Sequence, residues 1–198
     1  MFDAFVVGLG NPGNQYARSR HNVGEEAVVE FARRHGESLT ASRDSALTAD
    51  FTMRTGGASH RILVAFPTTY MNESGQAVSK LMRRHGIRDI SSLGAGFIVV
   101  QDELDLPPGT VRVKFGGGLG GHNGLRSITS HVGTQDYTRV RIGVGKPPSK
   151  EQGANHVLSK VPAAERKVLD VAVQVAADAI ESIVLVGIDI TMNKFNSL

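Results

Sequence analysis

Short apolar runs recur along the chain, and stretches with helical periodicity separate them. The clearest runs are residues 4–9 (AFVVGL), 61–66 (RILVAF), 97–101 (FIVVQ) and 137–144 (YTRVRIGV). Runs of this length are typical of strands whose two faces are both buried. Because strands alternate with helices, the pattern predicts a single α/β domain over residues 1–198 with a mostly parallel or mixed sheet.

The first predicted helix begins at Val23. Asn22 is placed to be its N-cap, and Glu25 follows three residues later, which is the spacing of a capping box. Weaker patterns predict strands at 51–55 and 110–115, the latter a candidate edge strand, and helices at 74–85, from 123 and at 163–185. The polar stretch at 38–50 is unassigned, and the basic stretch at 146–153 is interpreted as a mobile loop.

Composition excludes several classes of protein. The chain has 198 residues and no run of eighteen apolar residues, so no transmembrane helix is expected. Its first residues lack the basic and apolar regions of a signal peptide. It contains no cysteine, which excludes disulfides and thiolate nucleophiles and is typical of a reducing compartment. We therefore expect a cytoplasmic protein without a membrane partner.

Positive charge is concentrated in one segment. Residues 112–150 hold seven bases and one acid, Asp136, whereas the net charge of the whole chain is +3. A local basic excess beside glycine-rich loops indicates an anionic partner, and a solvated basic surface is the alternative. The bases are Arg112, Lys114, Arg126, Arg139, Arg141, Lys146 and Lys150.

Common catalytic motifs are missing. The chain has no GxxxxGK[ST] phosphate loop, no HExxH, no other metal-ligand spacing among its histidines, and no GxSxG nucleophile. Residues 8–13 and 116–121 match GxGxxG, so a dinucleotide-dependent oxidoreductase is one alternative. Against it, the helix begins late. The acid expected about twenty residues on, at the end of a second strand, is also absent, since that position falls near Arg33 and His35. We expect neither a metal nor a cofactor.

Polar side chains follow several of the predicted strands and the second glycine loop. They are Asn11, His21, Asn72, Asp102 and Asn123. Each has a structural interpretation as a turn former, helix cap or surface residue. Because the carboxyl ends of strands form the ligand crevice of open α/β sheets, the set also predicts a hydrolytic site.

The chemistry of such a site follows from the residue types. A neutral histidine is the usual general base near pH 7, and an aspartate on its other ring nitrogen fixes the tautomer. Water would be the nucleophile, and asparagine amides would stabilise the developing oxyanion and bind a peptide group. The substrate predicted in this way is an activated acyl bond, such as an ester, beside a peptide.

The motifs as a set resemble those of the bacterial-type peptidyl-tRNA hydrolases. The matching segments are GLGNPG (8–13), Tyr16, RHNVG (20–24), PTTYMNESG (67–75), DELDLPPG (102–109), GGGLGGHNGLRS (116–127) and RVRIGVGKP (139–147). The resemblance covers nearly the whole chain. It implies a single domain with a twisted mixed β-sheet surrounded by helices, usually monomeric. The implied activity is metal-independent hydrolysis of the ester between a peptide and the 3′-terminal ribose of tRNA.

The resemblance also implies residue roles. His21 matches the catalytic base and Asp102 the acid that orients it, whereas His122 has no assigned role. The matching substrate-binding residues are Asn11, Tyr16, Met71, Asn72 and Asn123, and the matching tRNA-binding residues are Lys114, Arg141 and Lys150.

Two residues depart from the family pattern. Phe66 replaces a common lysine and Gln101 a common histidine, while residues 38–60 and the C-terminal tail match loosely. An RNA-binding module that has lost catalysis is a further alternative. It predicts salt-sensitive RNA binding without ester cleavage.

Overall fold

A computed structural model describes all 198 residues and contains one seven-stranded sheet. The strands lie in the order β2-β3-β4-β1-β5-β7-β6. Their bounds are β1 (Ala4–Gly8), β2 (Thr40–Ala41), β3 (Ala46–Thr55), β4 (Ala58–Pro67), β5 (Phe97–Glu103), β6 (Val111–Phe115) and β7 (Thr138–Gly143). Strands β4, β1, β5 and β7 are parallel, whereas β2, β3 and β6 pair antiparallel at the two sides. The predicted α/β fold with a mixed sheet is confirmed.

Six helices pack around the sheet. They are α1 (Val23–Arg34), α2 (Ser74–Arg84), α3 (Asn123–Val132), α4 (Gly153–Leu158), α5 (Ala163–Val186) and α6 (Ile188–Phe195). Short 3₁₀ segments span Arg20–Asn22, Met71–Glu73, Ile90–Gly96 and Lys150–Gln152. None of these helices, including the 24-residue α5, is both long enough and apolar enough to cross a membrane.

Alternation along the central strands divides the core between two faces. In β1, Ala4 and Val6 join the cluster formed with α1, α5 and α6, while Phe5 and Val7 join the cluster formed with α2 and α3. Successive side chains of a strand point to opposite faces, so a strand covered on both sides has to be apolar throughout. This accounts for the uninterrupted run at residues 4–9.

Two glycines bring α1 against the sheet. A β-carbon on Gly24 would lie 2.2 Å from the carbonyl oxygen of Val100 in β5, and one on Gly8 would lie 2.4 Å from that of Gly24. The missing side chains let the start of α1 lie directly on β1 and β5. Gly8, the first glycine of the 8–13 motif, therefore serves helix–sheet packing.

The predicted capping box is wrong. Asn22 makes no side-chain hydrogen bond to the first turn of α1. Its amide instead donates to the carbonyl oxygen of Asn11 (2.9 Å), and its Oδ1 accepts from the Asn11 backbone N–H (2.9 Å). A buried asparagine has to satisfy donor and acceptor together, and the backbone of Asn11 offers both.

Other boundaries also differ from the prediction. The unassigned residues 38–50 contain β2 and the first half of β3, and the strand pair predicted at 51–55 and 61–66 is a longer hairpin. The segment predicted as a loop at 146–153 contains the 3₁₀ turn Lys150–Gln152 and the start of α4. The strand at residues 111–115 is an edge strand, as the sequence indicated.

Candidate active site

Two histidines meet one buried aspartate at the carboxyl edge of the sheet. Asp102 lies at the end of β5, His21 in the 3₁₀ turn before α1, and His122 immediately before α3. Nδ1 of His21 lies 2.8 Å from Oδ2 and 2.9 Å from Oδ1 of Asp102. Nε2 of His122 lies 2.8 Å from the same Oδ1. The His21–Asp102 pair implied by the sequence therefore forms, and His122 adds a second contact to the carboxylate.

Each member of the pair favours the charged form of the other. Burial raises the pKa of Asp102, but electrostatic attraction to His21 and His122 and their hydrogen bonds outweigh it, so the pKa lies below its usual range. Burial lowers the pKa of His21, but attraction to Asp102 and their hydrogen bond outweigh it, so this pKa is raised. Asp102 is thus a carboxylate in the working pH range.

The free side of His21 faces open space. With Nδ1 directed at Asp102, Nε2 makes no hydrogen bond within the protein, and the ring lines a cavity of about 230 Å³. A neutral histidine held in this way carries its proton on Nδ1 and presents a lone pair at Nε2. It is therefore placed to accept a proton from a water in the cavity.

The same three side chains are the candidate ligand set for a metal. Ligand atoms of His21, Asp102 and His122 lie within 4.8 Å of one another. However, the nitrogens that face Asp102 are hydrogen-bonded to it, and the other nitrogen of His122 lies against the backbone of α3. The arrangement is thus a hydrogen-bonded set around one carboxylate.

Asn11 is held on three sides. Asn22 binds its backbone N–H and carbonyl, and its side-chain Oδ1 accepts from the Met71 backbone N–H at 2.8 Å. These contacts occupy the Oδ1 of Asn11 and leave its Nδ2 amide without a partner in the protein. A substrate carbonyl is the complementary group for such a donor.

Three cavities adjoin along this edge of the sheet. The central one contains His21, Asp102, His122 and Asn123. On one side, a cavity that shares His21 and Asn123 is lined by Asn11, Tyr70, Met71, Asn72, Ala154, Val157 and Leu158. On the other side, a cavity that shares Gln101, Glu103, Leu119 and Gly120 contains Asp105, Lys114, Gly118, Leu125, Arg139 and Arg141. We call them the catalytic, asparagine and basic cavities.

The structure brings most of the predicted site residues to these cavities. Asn11, Met71 and Asn72 line the asparagine cavity, and Asn123 lies where it joins the catalytic cavity. Asn72 and Asn123 are exposed and have no side-chain hydrogen bond, so their amides are free. Tyr16, in the turn after β1, is half-buried and lines none of the three cavities.

Lys114 and Arg141 share the basic cavity. Lys114 of β6 lies opposite Arg139 of β7, and Arg112 of β6 lies opposite Arg141 of β7. Residues two apart in a strand point to the same face, so Lys114 and Arg141 lie on one face of the sheet. Burial and neighbouring arginines lower the pKa of Lys114, and burial chiefly lowers the pKa of Arg141. Glu103 and Asp105 also line the cavity, but neither forms a salt bridge with Lys114 or Arg141. Crowded cations without a direct ion pair gain from an added anion, so a phosphate suits this cavity.

Other bases of the 112–150 segment have partners within the protein. Arg139 is fully buried and donates to the carbonyl oxygens of Gly117 (2.8 Å) and Gly118 (2.5 Å), which holds the glycine loop in place. Arg112 donates to the carbonyl oxygens of Phe195 (3.3 Å) and Leu198 (3.0 Å) at the C-terminus. The basic segment is thus partly structural, and Lys150 remains exposed near the catalytic cavity.

Helix α4 covers the catalytic cavity and is tied to the turn that carries His21. Gly153, Ala154 and Val157 line the cavity. Arg20, next to His21, donates to both carboxylate oxygens of Glu165 (2.9 and 2.7 Å) and to the His156 carbonyl (2.9 Å). One buried arginine therefore links the catalytic turn to α4 and α5.

Sequence reasoning gave no site role to Asn22, His122 or Arg20. Arg20 and Asn22 flank His21 in the RHNVG segment, and His122 precedes Asn123 in GGHNG. Their position in those motifs was the available signal. Their partners lie 11, 20 and 145 residues away, so only the fold identifies them.

Comparison with known proteins gives a consistent result. The family model described as peptidyl-tRNA hydrolase matches residues 5–198. The chain is 47% identical to the peptidyl-tRNA hydrolase of Leifsonia xyli over 97% of its own length and 96% of that protein's. It is 45% identical to that of Kineococcus radiotolerans, covering 100% and 99%. A crystal structure of peptidyl-tRNA hydrolase from Acinetobacter baumannii superposes with a TM-score of 0.85 at 37% identity, covering 100% and 96%.

Proposed function

The chain belongs to the peptidyl-tRNA hydrolase family, and we propose that His21, Asp102 and three asparagines carry its chemistry. The enzyme hydrolyses peptidyl-tRNA, which separates the peptide from the tRNA. The dinucleotide-dependent oxidoreductase considered from the glycine motifs is set aside by this family assignment. The observation that carries the proposal is the His21–Asp102 contact of 2.8 Å with Nε2 open to the catalytic cavity.

His21 is the general base in this scheme. Its Nε2 takes a proton from water as the oxygen attacks the ester carbonyl carbon. Asp102 stabilises the imidazolium that forms, because it is ionised and lies against the Nδ1–H. Collapse of the tetrahedral intermediate breaks the bond to the ribose oxygen, which takes the proton back from His21. The scheme requires no metal and no covalent bond between the enzyme and the substrate.

The asparagine amides supply neutral donors to the acyl part of the substrate. Asn123 stands beside His21 and is placed to donate to the developing oxyanion, an interaction whose loss costs about 10²–10³ in rate. Asn11 and Asn72 lie farther into the asparagine cavity, where they suit the amide of the last peptide bond. In this proposal the peptide, the ester and the nucleic acid occupy the asparagine, catalytic and basic cavities in that order.

The basic cavity lies on the tRNA side of the ester in this arrangement. We assign Lys114 and Arg141 to a tRNA phosphate, and Lys150, on the segment beside the catalytic cavity, to another. Phosphate contacts carry no base sequence, so the enzyme should accept any tRNA. Its affinity should fall as salt rises.

The cavity chemistry also favours peptidyl-tRNA over aminoacyl-tRNA. The α-amino group of aminoacyl-tRNA is an ammonium, whereas that of peptidyl-tRNA is part of an amide. The residues that line the asparagine cavity include no acid. An ammonium bound there would lose water without gaining an ion partner, which is unfavourable.

A single assay tests the catalytic assignment. Hydrolysis of an N-blocked aminoacyl-tRNA and of its unblocked counterpart is measured with EDTA present, for the wild-type enzyme, His21→Ala and the control His60→Ala. His60 lies in β4 and lines none of the three cavities. We expect cleavage of the blocked substrate alone, by the wild type and His60→Ala.

Three outcomes would contradict the assignment. Near-normal turnover by His21→Ala would show that another group is the base. Loss of wild-type activity in EDTA would show that a metal takes part. Binding of tRNA without any cleavage by the wild type would favour the alternative of an RNA-binding module.

We further propose that residues 1–198 act as one domain and as a monomer in the cytoplasm, where ribosomes generate peptidyl-tRNA. The continuous seven-stranded sheet supports the first point, because it joins the first 8 residues to strands near residue 140. Sedimentation of the enzyme alone and with tRNA tests the oligomeric state, for which we expect one protomer per tRNA.

A further inference from the structure

The two ring nitrogens of His122 face different kinds of partner. Nδ1 lies 3.1 Å from the backbone nitrogen of Gly124 and 3.4 Å from that of Leu125. Both partners are N–H donors, so Nδ1 has to be the acceptor and carry no proton. Nε2 then carries the proton and donates to Oδ1 of Asp102 at 2.8 Å.

The helix maintains this proton arrangement. His122 is the N-cap residue of the ten-residue α3, and its ring satisfies N–H groups that otherwise lack partners in the first turn. A proton on Nδ1 would remove both contacts and place a cation at the positive end of the helix dipole. The neutral ring with the proton on Nε2 is therefore favoured on both counts.

We propose that His122 is a positioning residue: the start of α3 fixes it as the Nε2–H tautomer, and this N–H holds the Asp102 carboxylate in the orientation that receives His21. The inference rests on the proposed role of His21 as the base. The two histidines then differ in function although both contact Asp102, because only His21 has a ring nitrogen free for the cavity.

The hydrogen bond from His122 to Asp102 has a second consequence, which concerns the pKa of His21. Oδ1 of Asp102 is shared between the two histidines, at 2.9 Å from His21 and 2.8 Å from His122. A donor from His122 reduces the negative charge that His21 experiences. Glu103 is the only other charged residue lining the catalytic cavity, and α4 contributes none. Without the His122 donor, His21 should hold its proton to a higher pH.

Two substitutions separate the contacts of His122. In His122→Asn the amide oxygen reaches the position of Nδ1 and can cap α3, but the side chain is too short to replace Nε2. In His122→Gln the amide nitrogen reaches the position of Nε2, but the cap is lost. We expect His122→Asn to lower kcat about tenfold, the effect of losing a hydrogen bond to a charged group, and to move the acid limb of kcat/KM to higher pH.

His122→Gln should recover most of the rate and the wild-type pH profile, with a lower melting temperature from the lost cap. If His122 only capped α3, His122→Asn would keep more activity than His122→Gln, and the acid limb of kcat/KM would stay in place in both variants. Either of those results would overturn the proposal.

The tautomer is measured directly on the wild-type enzyme, independently of activity and of variant folding. A long-range ¹H–¹⁵N spectrum at neutral pH should show His122 protonated at Nε2 and bare at Nδ1. A proton on Nδ1, alone or together with Nε2, would overturn the proposal even if His21 proves to be the base.

Discussion

The side chain of Asn22 binds both the backbone N–H and the backbone carbonyl of Asn11, each at 2.9 Å. Asn22 is adjacent to His21, so this pair of hydrogen bonds fixes the distance between the proposed base and the loop that carries Asn11. Gly10 leaves room for the contact, since a β-carbon there would lie 2.9 Å from the Asn22 side chain.

Replacement of Asn22 should therefore affect stability and activity together. In Asn22→Asp the carboxylate still accepts from the Asn11 N–H but opposes its carbonyl, so we expect a loss of about 2–3 kcal/mol in the free energy of unfolding. Urea unfolding and kcat measure the two effects. Asn72→Ala is the matched control: Asn72 is exposed and unbonded, so its loss should cost activity at a stability change within roughly 0.5 kcal/mol.

The pH dependence of kcat/KM should follow His21. Its pKa is raised, and the base has to be neutral, so the acid limb should have its midpoint above the ordinary value of 6.5. In Asp102→Asn the attraction is lost and burial dominates, so the limb should move to lower pH while the rate falls roughly 10⁴-fold.

Glu25 provides the control for that profile. Burial and the neighbouring Glu26 raise its pKa to about 7, in the same range, but it lines none of the three cavities. Glu25→Gln should leave the acid limb in place. A limb that disappears in Glu25→Gln would mean that Glu25, and not His21, sets it.

Stability should depend on His21 in the opposite sense to activity. A folded-state pKa above the unfolded value means that protonated His21 stabilises the fold. This contribution is complete below the unfolded pKa and is lost as the pH rises through the folded pKa. The difference in melting temperature between wild type and His21→Ala should therefore shrink as the pH rises through that range.

Lys114→Ala and Arg141→Ala should raise KM with little change in kcat, because the basic cavity adjoins the catalytic one without containing His21. Each should reduce the slope of log affinity against log salt by about 1. Arg112→Ala is the control, since Arg112 lies on the same face but binds the C-terminal carbonyls. It should lower stability and leave the salt slope unchanged, and an equal slope in all three variants would argue against phosphate contacts at Lys114 and Arg141.

Arg20→Ala should be costly. The Arg20 side chain is 8% exposed and Glu165 is 25% exposed, so removing the arginine leaves a partly buried carboxylate unpaired, at a cost of about 3 kcal/mol. Arg33→Ala breaks a pair whose arginine is 70% exposed, and should cost less than about 0.5 kcal/mol. Thermal unfolding compares the two. Similar costs would show that Arg20 does not link the catalytic turn to α5.

Gly24→Ala should destabilise the fold although alanine is the better helix former. Its β-carbon would lie 2.2 Å from the Val100 carbonyl oxygen, so α1 would have to move off the sheet, at about 3 kcal/mol or more. Gly153→Ala, at the start of α4, meets nothing within 4 Å and should be neutral or slightly stabilising. Calorimetry of both variants checks the packing of α1 against β1 and β5.

Periodicity predicted the central elements because it reports burial directly. The apolar runs at 4–9 and 97–101 are buried strands, and Val23, Ala27 and Phe31 form a buried face of α1. The prediction covers only residues 51–55 and 61–66 of the hairpin at 46–67. Residues 46–50 (ALTAD) are small or polar apart from Leu47, so the alternation of buried Ala49, Phe51 and Met53 is recognisable only at its more apolar end.

The local sequence pattern predicts the wrong role for polar residues whose hydrogen-bond partners are distant in the chain. Asn22 has the right type and position for a helix cap, yet it binds Asn11. Arg139 belongs to a basic segment typical of nucleic-acid contacts, yet it is buried under the glycine loop. A polar side chain bonds whichever group the fold brings to it, and the sequence near it does not contain that group.

The sequence by itself determined the central strands and the longer helices, indicated the peptidyl-tRNA hydrolase family and predicted the pairing of His21 with Asp102. The strands and helices follow from the periodicity of apolar residues, and the family and the pair follow from short sequence motifs. The tertiary structure decided that His122 joins them across 20 residues and that Arg20 meets Glu165 across 145. Hydrogen-bond geometry acts over about 3 Å, so such partners exist only once strands and helices have packed.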